Sequence, residues 1–167
     1  MYYRFGKAIY FISVLLFIFA LLYFYSALPE RVSYQMDEVG NSVAALEKGT
    51  FFYMMIAMFV ICNGLVLLPP KLLETKSHSG LRRIFPVGDP SRDYFLGWFY
   101  SFGAILNMSL GLMVFYTHSI NNQNEIASKE FNIFFYMIPV LFLVWIVGLF
   151  LILMGKFKQV QGNSRNN

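Results

Sequence analysis

The sequence predicts an all-α polytopic membrane protein, a four-transmembrane-helix bundle with both termini cytoplasmic. Three observations carry that reading. Residues 8–28, 50–68, 94–117 and 131–154 contain no Asp, Glu, Lys or Arg, and each run is close to the ~20 residues that cross a bilayer as a helix. The chain is 57% hydrophobic and 13% charged, with 19 Phe and 11 Tyr, whereas a soluble domain carries about 25% charged residues. Finally, ten Lys and Arg lie in the N-terminal segment, the second connection and the tail, against three in the first and third connections. Basic residues stay on the side of synthesis, so these three segments are expected inside. The acids lean the other way, three inside and six outside.

The first span, residues 8–28, follows Arg4 and Lys7. A basic start before an apolar run also describes a signal peptide, but this run is longer than such a core, stays aromatic to its end and lacks a small-x-small cleavage site. It is therefore read as an uncleaved span. Pro29 ends it, because proline has no N–H to continue a helix. The first connection, residues 28–49, is acidic through Glu30, Asp37, Glu38 and Glu47. Within it Val32 to Met36 reads as a short extended piece. Ser42 to Lys48 reads as a helical turn leading into the second span, with Asn41 or Ser42 as its cap.

The second span, residues 50–68, is expected to stop at Pro69 and Pro70. Its Ala57 and Gly64 lie seven apart, with Asn63 beside Gly64. The second connection, residues 71–93, carries Lys71, Lys76, Arg82, Arg83 and Arg92 among turn-forming Gly, Pro and Ser. Leu81, Ile84, Phe85 and Val87 suit a short amphipathic segment in the headgroup region.

The third span, residues 94–117, is the one the others are expected to pack against. It places Gly103, Asn107 and Gly111 at i, i+4 and i+8. Small residues let backbones approach, and an amide in hydrocarbon needs a partner. The Ala57–Gly64 face of the second span is the expected neighbour. The fourth span, residues 131–154, contains Pro139, which neighbouring helices can accommodate. The tail, residues 155–167, is expected to be partly disordered, chiefly at its polar end from Gly162.

Chemistry is sparse. No span holds a charge, which argues against a proton pump, an ion-coupled transporter or a voltage sensor. Asn63, Gly64, Gly103, Asn107 and Gly111 are the candidates for helix packing or a polar intramembrane site. His78 and His118 fall on opposite sides of the membrane. Cys62 stands alone within a span, so neither a metal or haem site nor a nucleophile is expected. No cofactor, no metal and no nucleic acid is called for. Gln35, Asp37 and Glu38 are candidates for contacting a ligand at the outer face, and Arg82, Arg83 and Arg92 for contacting anionic lipid headgroups.

Residues Leu28 to Gly40, LPERVSYQMDEVG, form one further motif. The run resembles a bacterial membrane domain of unknown function, found alone or at the start of immunity proteins against a sporulation-delaying toxin. That domain reads roughly Leu-Pro-x-x-Ile/Val-Pro-x-His-Phe after its first span, with a Gly a few residues on. Leu28, Pro29, Val32 and Gly40 match it. Ser33 replaces the second proline, Gln35 the histidine and Met36 the aromatic, and the usual Asp-Gly is absent. The resemblance implies an envelope protein with immunity or sensing work.

The expected function is non-catalytic: an accessory or scaffolding subunit of a larger bacterial inner-membrane complex, with lipids and other subunits, or copies of itself, as partners. A toxin-immunity or envelope-sensing protein is the first alternative, and a small transporter or lipid-handling protein the second.

Overall fold

The computed structural model describes residues 2–36, 41–75, 85–122 and 132–165. Four helices dominate: α1 (Tyr2–Ala27), α2 (Lys48–Glu74), α3 (Pro90–Asn121) and α4 (Asn132–Arg165). Each contains a stretch long and apolar enough to cross a membrane. Between α1 and α2 stands an antiparallel hairpin of β1 (Arg31–Met36) and β2 (Ser42–Glu47).

The bundle is built on α3. It packs most extensively on α1, then on α2 and α4, while α1 and α2 touch little directly. On α1 the buried positions are Gly6, Tyr10, Ser13, Phe17 and Leu21, a stripe at helical spacing. It crosses α3 closely where a Cβ on Gly6 would sit 2.9 Å from the Gly97 carbonyl oxygen. Further along, Phe17, Leu21, Phe51, Met55, Leu110 and Val114 form the apolar core of α1, α2 and α3.

The hairpin closes one end of that core. Arg31 lies opposite Glu47, Val32 opposite Leu46 and Ser33 opposite Ala45, and a register shift between Ser33 and Gln35 leaves Tyr34 as a bulge. Val32, 0% exposed, joins the cluster of Phe17, Phe51 and Val114. Residues 42–47 are therefore a strand and not the helical turn expected there. Glu47 is the N-cap of α2 and makes no side-chain cap bond. Lys48 instead serves the helix before it: its Nζ donates to the Leu28 carbonyl at 2.7 Å and lies 5.0 Å from the Tyr25 ring. A cation there answers carbonyls that the end of α1 leaves without helical donors.

Two further boundaries differ from expectation. Helix α2 continues through Pro69 and Pro70 to Glu74, because its last turn is held from outside. Leu73, 1% exposed, packs with Phe85 and Leu96, and the Arg92 Nη2 donates to the Leu73 carbonyl at 2.9 Å. At the chain's end α4 is helical through Arg165, where an irregular tail was expected from Gly162.

Helix α3 starts on a well-formed cap. The Asp89 carboxylate accepts from the Ser91 amide at 2.9 Å, with Pro90 at the first helical position. The other Asp89 oxygen accepts from Lys156 of α4. Lys7 of α1 reaches Glu74 of α2 at 3.5 Å. These pairs gather the start of α1, the end of α2, the start of α3 and the later part of α4 at one end of the bundle. The hairpin occupies the other.

Candidate functional site

A buried polar network inside the bundle joins three helices. The Asn63 Nδ2 donates to the Asn107 Oδ1 at 2.8 Å, and the Tyr10 hydroxyl donates to the Asn63 Oδ1 at 2.8 Å. The Asn107 Nδ2 donates to the Ser13 hydroxyl at 3.1 Å, and that hydroxyl donates to the Tyr10 carbonyl at 2.7 Å. Asn63 also donates to the Phe59 carbonyl of its own helix at 2.8 Å. Asn107 is 0% exposed and Ser13 is 1% exposed. A chain of bonds so enclosed ties α1, α2 and α3 together, each bond contributing on the order of 0.6 kcal/mol in a membrane.

Gly103 makes room for this network. A Cβ there would sit 3.0 Å from the Tyr10 ring, so any side chain would push away the ring whose hydroxyl meets Asn63. Gly64 and Gly111, placed with Gly103 and the asparagines by spacing alone, lie elsewhere: a Cβ on either would have no atom within 4 Å. The cause is helical drift. At 3.6 residues per turn, i+8 is rotated by about 80° from i, whereas i+7 is only about 20° away. Leu110, at i+7 from Gly103, is accordingly buried. Gly64 is one residue and about 100° from Asn63. The neighbour of Gly103 is chiefly α1, not the Ala57–Gly64 face.

A second polar group lies at the end where α1 and α3 begin. The Tyr100 hydroxyl donates to the Glu74 Oε1 at 3.1 Å, the same oxygen that Lys7 reaches, and the Lys7 Nζ lies 5.3 Å from the Tyr100 ring. Beside it opens a cleft of about 220 Å³ lined by Tyr3, Glu74, Val87, Arg92, Asp93 and Leu96, among others. Arg92 lines this cleft with Nη2 bound to Leu73; its Nε is buried and has no partner among the described residues. A buried donor left in that state costs about 1–3 kcal/mol. Close by, burial pushes the Asp89 carboxyl up, but the Lys156 ammonium and the Ser91 amide outweigh it and hold the group below its ordinary value.

Helix α4 joins through aromatic side chains. The Trp98 Nε1 donates to the Trp145 carbonyl at 2.7 Å, and the Trp145 Nε1 donates to the Ser101 hydroxyl at 3.0 Å. Phe102 stacks on Trp98 and meets Phe142 edge-on. The remaining surface of α4 is open: no residue from Tyr136 to Lys158 is buried.

Of the other residues singled out from the sequence, Gln35 is exposed on β1, two residues beyond Ser33. Asp37, Glu38, Arg82 and Arg83 lie outside the described residues. Tyr10, Ser13, Tyr100 and Glu74 were not anticipated as site residues. Among the described residues no three His, Cys, Asp or Glu side chains come together as metal ligands would. No protein family, curated protein or solved structure matches the chain.

Proposed function

We propose that the protein is a non-catalytic accessory subunit of a larger complex in a bacterial inner membrane, and that α4 is its docking helix. The observation that supports this is the unequal sharing of contacts. Helices α1, α2 and α3 bury a common core and a common polar network, whereas α4 meets α3 along one seam and has no buried residue between Tyr136 and Lys158. Lipid tails are as apolar as leucine, so helices in a bilayer associate through close fit and hydrogen bonds. Among the described residues, α4 uses little of either within its own bundle beyond the tryptophan pair, the Phe102–Phe142 contact and Lys156. The excess of Lys and Arg in the connections at the end holding the termini supports a cytoplasmic position for that end.

Purification from native membranes in mild detergent tests the proposal. A heavier complex with another protein at fixed ratio is expected, and a lone monomer contradicts it. The bonds among Tyr10, Ser13, Asn63 and Asn107 give no support to a transport path through those asparagines.

One observation favours a second reading, toxin immunity or envelope sensing. The outer connection is a formed hairpin that presents Tyr34, Gln35 and Val43 outward, surfaces suited to an extended peptide. Deleting the gene and challenging cells with peptide toxins tests it; unchanged sensitivity rejects it.

A further inference from the structure

We propose that the far edge of β2 takes up an extended peptide segment as a third strand, bonded to the Ala45 main chain and carrying a basic side chain beside Glu47. The two edges of the hairpin are finished differently. On β1 the Asn121 side chain bonds both the N–H and the C=O of Ser33, so both groups point away from β2. Residues that face each other in an antiparallel pair alternate between exchanging two bonds and exchanging none. Ser33 faces Ala45, and theirs is a pair without bonds. The Lys48 amide, which donates to the Glu30 carbonyl at 2.9 Å, fits the same alternation three residues on. The Ala45 N–H and C=O therefore point away from β1, and so does the Glu47 N–H two residues later. Ala45 and Glu47 are exposed, and among the described residues none bonds these three groups.

An open edge is completed by an extended chain, whose main chain supplies bonds and whose alternate side chains supply choice. Two strands alone are marginal, and a third adds stability. The usable stretch is short, because the pairing skips Val43 and a bulge bends the strand there. One residue of an antiparallel segment exchanges two bonds with Ala45, and the residue two before it stands opposite Glu47 on the same face. Charge selects that second residue. Residues 28–49 hold Glu30, Asp37, Glu38 and Glu47 against Arg31 and Lys48. Arg31 stands opposite Glu47 within the hairpin, and Lys48 is held at the Leu28 carbonyl and the Tyr25 ring, so the connection keeps an excess of acid. A lysine or arginine suits the place beside Glu47, and a second copy of this acidic edge suits it less. The inference rests on the reading of the hairpin as a peptide-sensing surface, and it names the edge, the register and the charge.

The test uses the full chain in mild detergent with synthetic peptides at millimolar concentration and amide exchange read residue by residue. The first probe is a short peptide of valine and threonine around one lysine. The second has glutamate for the lysine. The third is the lysine peptide N-methylated two residues after the lysine, at the residue that faces Ala45. The lysine peptide is expected to slow exchange about tenfold at Ala45 and Glu47 and to change Leu46, whose N–H already faces β1, far less. The glutamate peptide is expected to need about tenfold more for the same effect, and the N-methylated one to have none. Glu47 makes no side-chain cap bond, so Glu47→Gln is expected to keep the unfolding temperature and to erase the difference between the lysine and glutamate peptides. No slowing at Ala45 by the lysine peptide, or equal slowing by all three, overturns the proposal. Protection of Ala45 that needs no peptide and rises with protein concentration assigns the edge to a second copy and overturns it too. Protection of Ala45 with unchanged toxin sensitivity on gene deletion supports the edge and rejects the immunity reading alone; altered sensitivity without that protection overturns the edge alone.

Discussion

Asn107 shows how one side chain can organise a membrane bundle. Its amide accepts from Asn63 of α2 and donates to Ser13 of α1, so all three core helices meet at one residue with no charge involved. Replacing Asn107 by Leu is expected to destabilise the bundle by about 1–2 kcal/mol, two membrane hydrogen bonds' worth. A double-mutant cycle with Asn63→Leu, followed by unfolding in detergent, is expected to give a coupling of about 0.5–1.5 kcal/mol; additive effects would show that the two amides do not depend on each other. The two asparagines are legible in the sequence because they are the strongly polar residues deep in apolar runs. Tyr10 and Ser13 are not. The stripe Gly6, Tyr10, Ser13, Phe17, Leu21 has helical spacing, but lipid makes the opposite face of α1 as apolar as the buried one, so the contrast that reveals a buried face in water is missing.

At the scale of elements, two capping arrangements set where segments begin and how they dock. The hairpin is fastened by Asn121 at the end of α3: its Oδ1 accepts from the Ser33 amide at 2.8 Å and its Nδ2 donates to the Ser33 carbonyl at 2.7 Å. One side-chain amide thus imitates a neighbouring strand on the free edge of β1. Asn121→Ala is expected to raise hydrogen exchange at Ser33 and its strand while the helix amides keep their protection; unchanged exchange would mean that the β1–β2 pairing suffices. β2 itself escapes the sequence reading because Ala44, Ala45, Leu46 and Glu47 are good helix formers, and pairing with β1 overrides that preference. The second arrangement is Asp89, which caps α3 and binds Lys156 of α4. Its folded carboxyl lies below its ordinary value, so its stabilisation is complete above the unfolded pKa of about 3.9 and is lost as pH falls through the depressed folded value. Asp89→Asn is expected to lower thermal stability at neutral pH and to flatten its fall between about pH 5 and 2. A variant that loses stability in acid as steeply as the parent would contradict that assignment.

For the whole molecule, four apolar helices joined by connections of contrasting charge are plain in the sequence, since hydropathy and length alone define them. What the sequence withholds is which helix is central and which peripheral. All four spans are apolar, and the close crossing at Gly6 and Gly97, the Tyr10–Gly103 fit and the Trp98–Trp145 exchange are among the contacts that distinguish their places. The most direct test of α4 as a docking helix is photo-crosslinking in native membranes from four positions of similar exposure: Val140 and Phe150 on α4, at 60% and 61%, and Val60 and Leu65 on α2, at 59% and 69%. The account predicts a discrete protein adduct from the α4 positions and lipid adducts alone from α2. Lipid adducts alone from all four positions would contradict it.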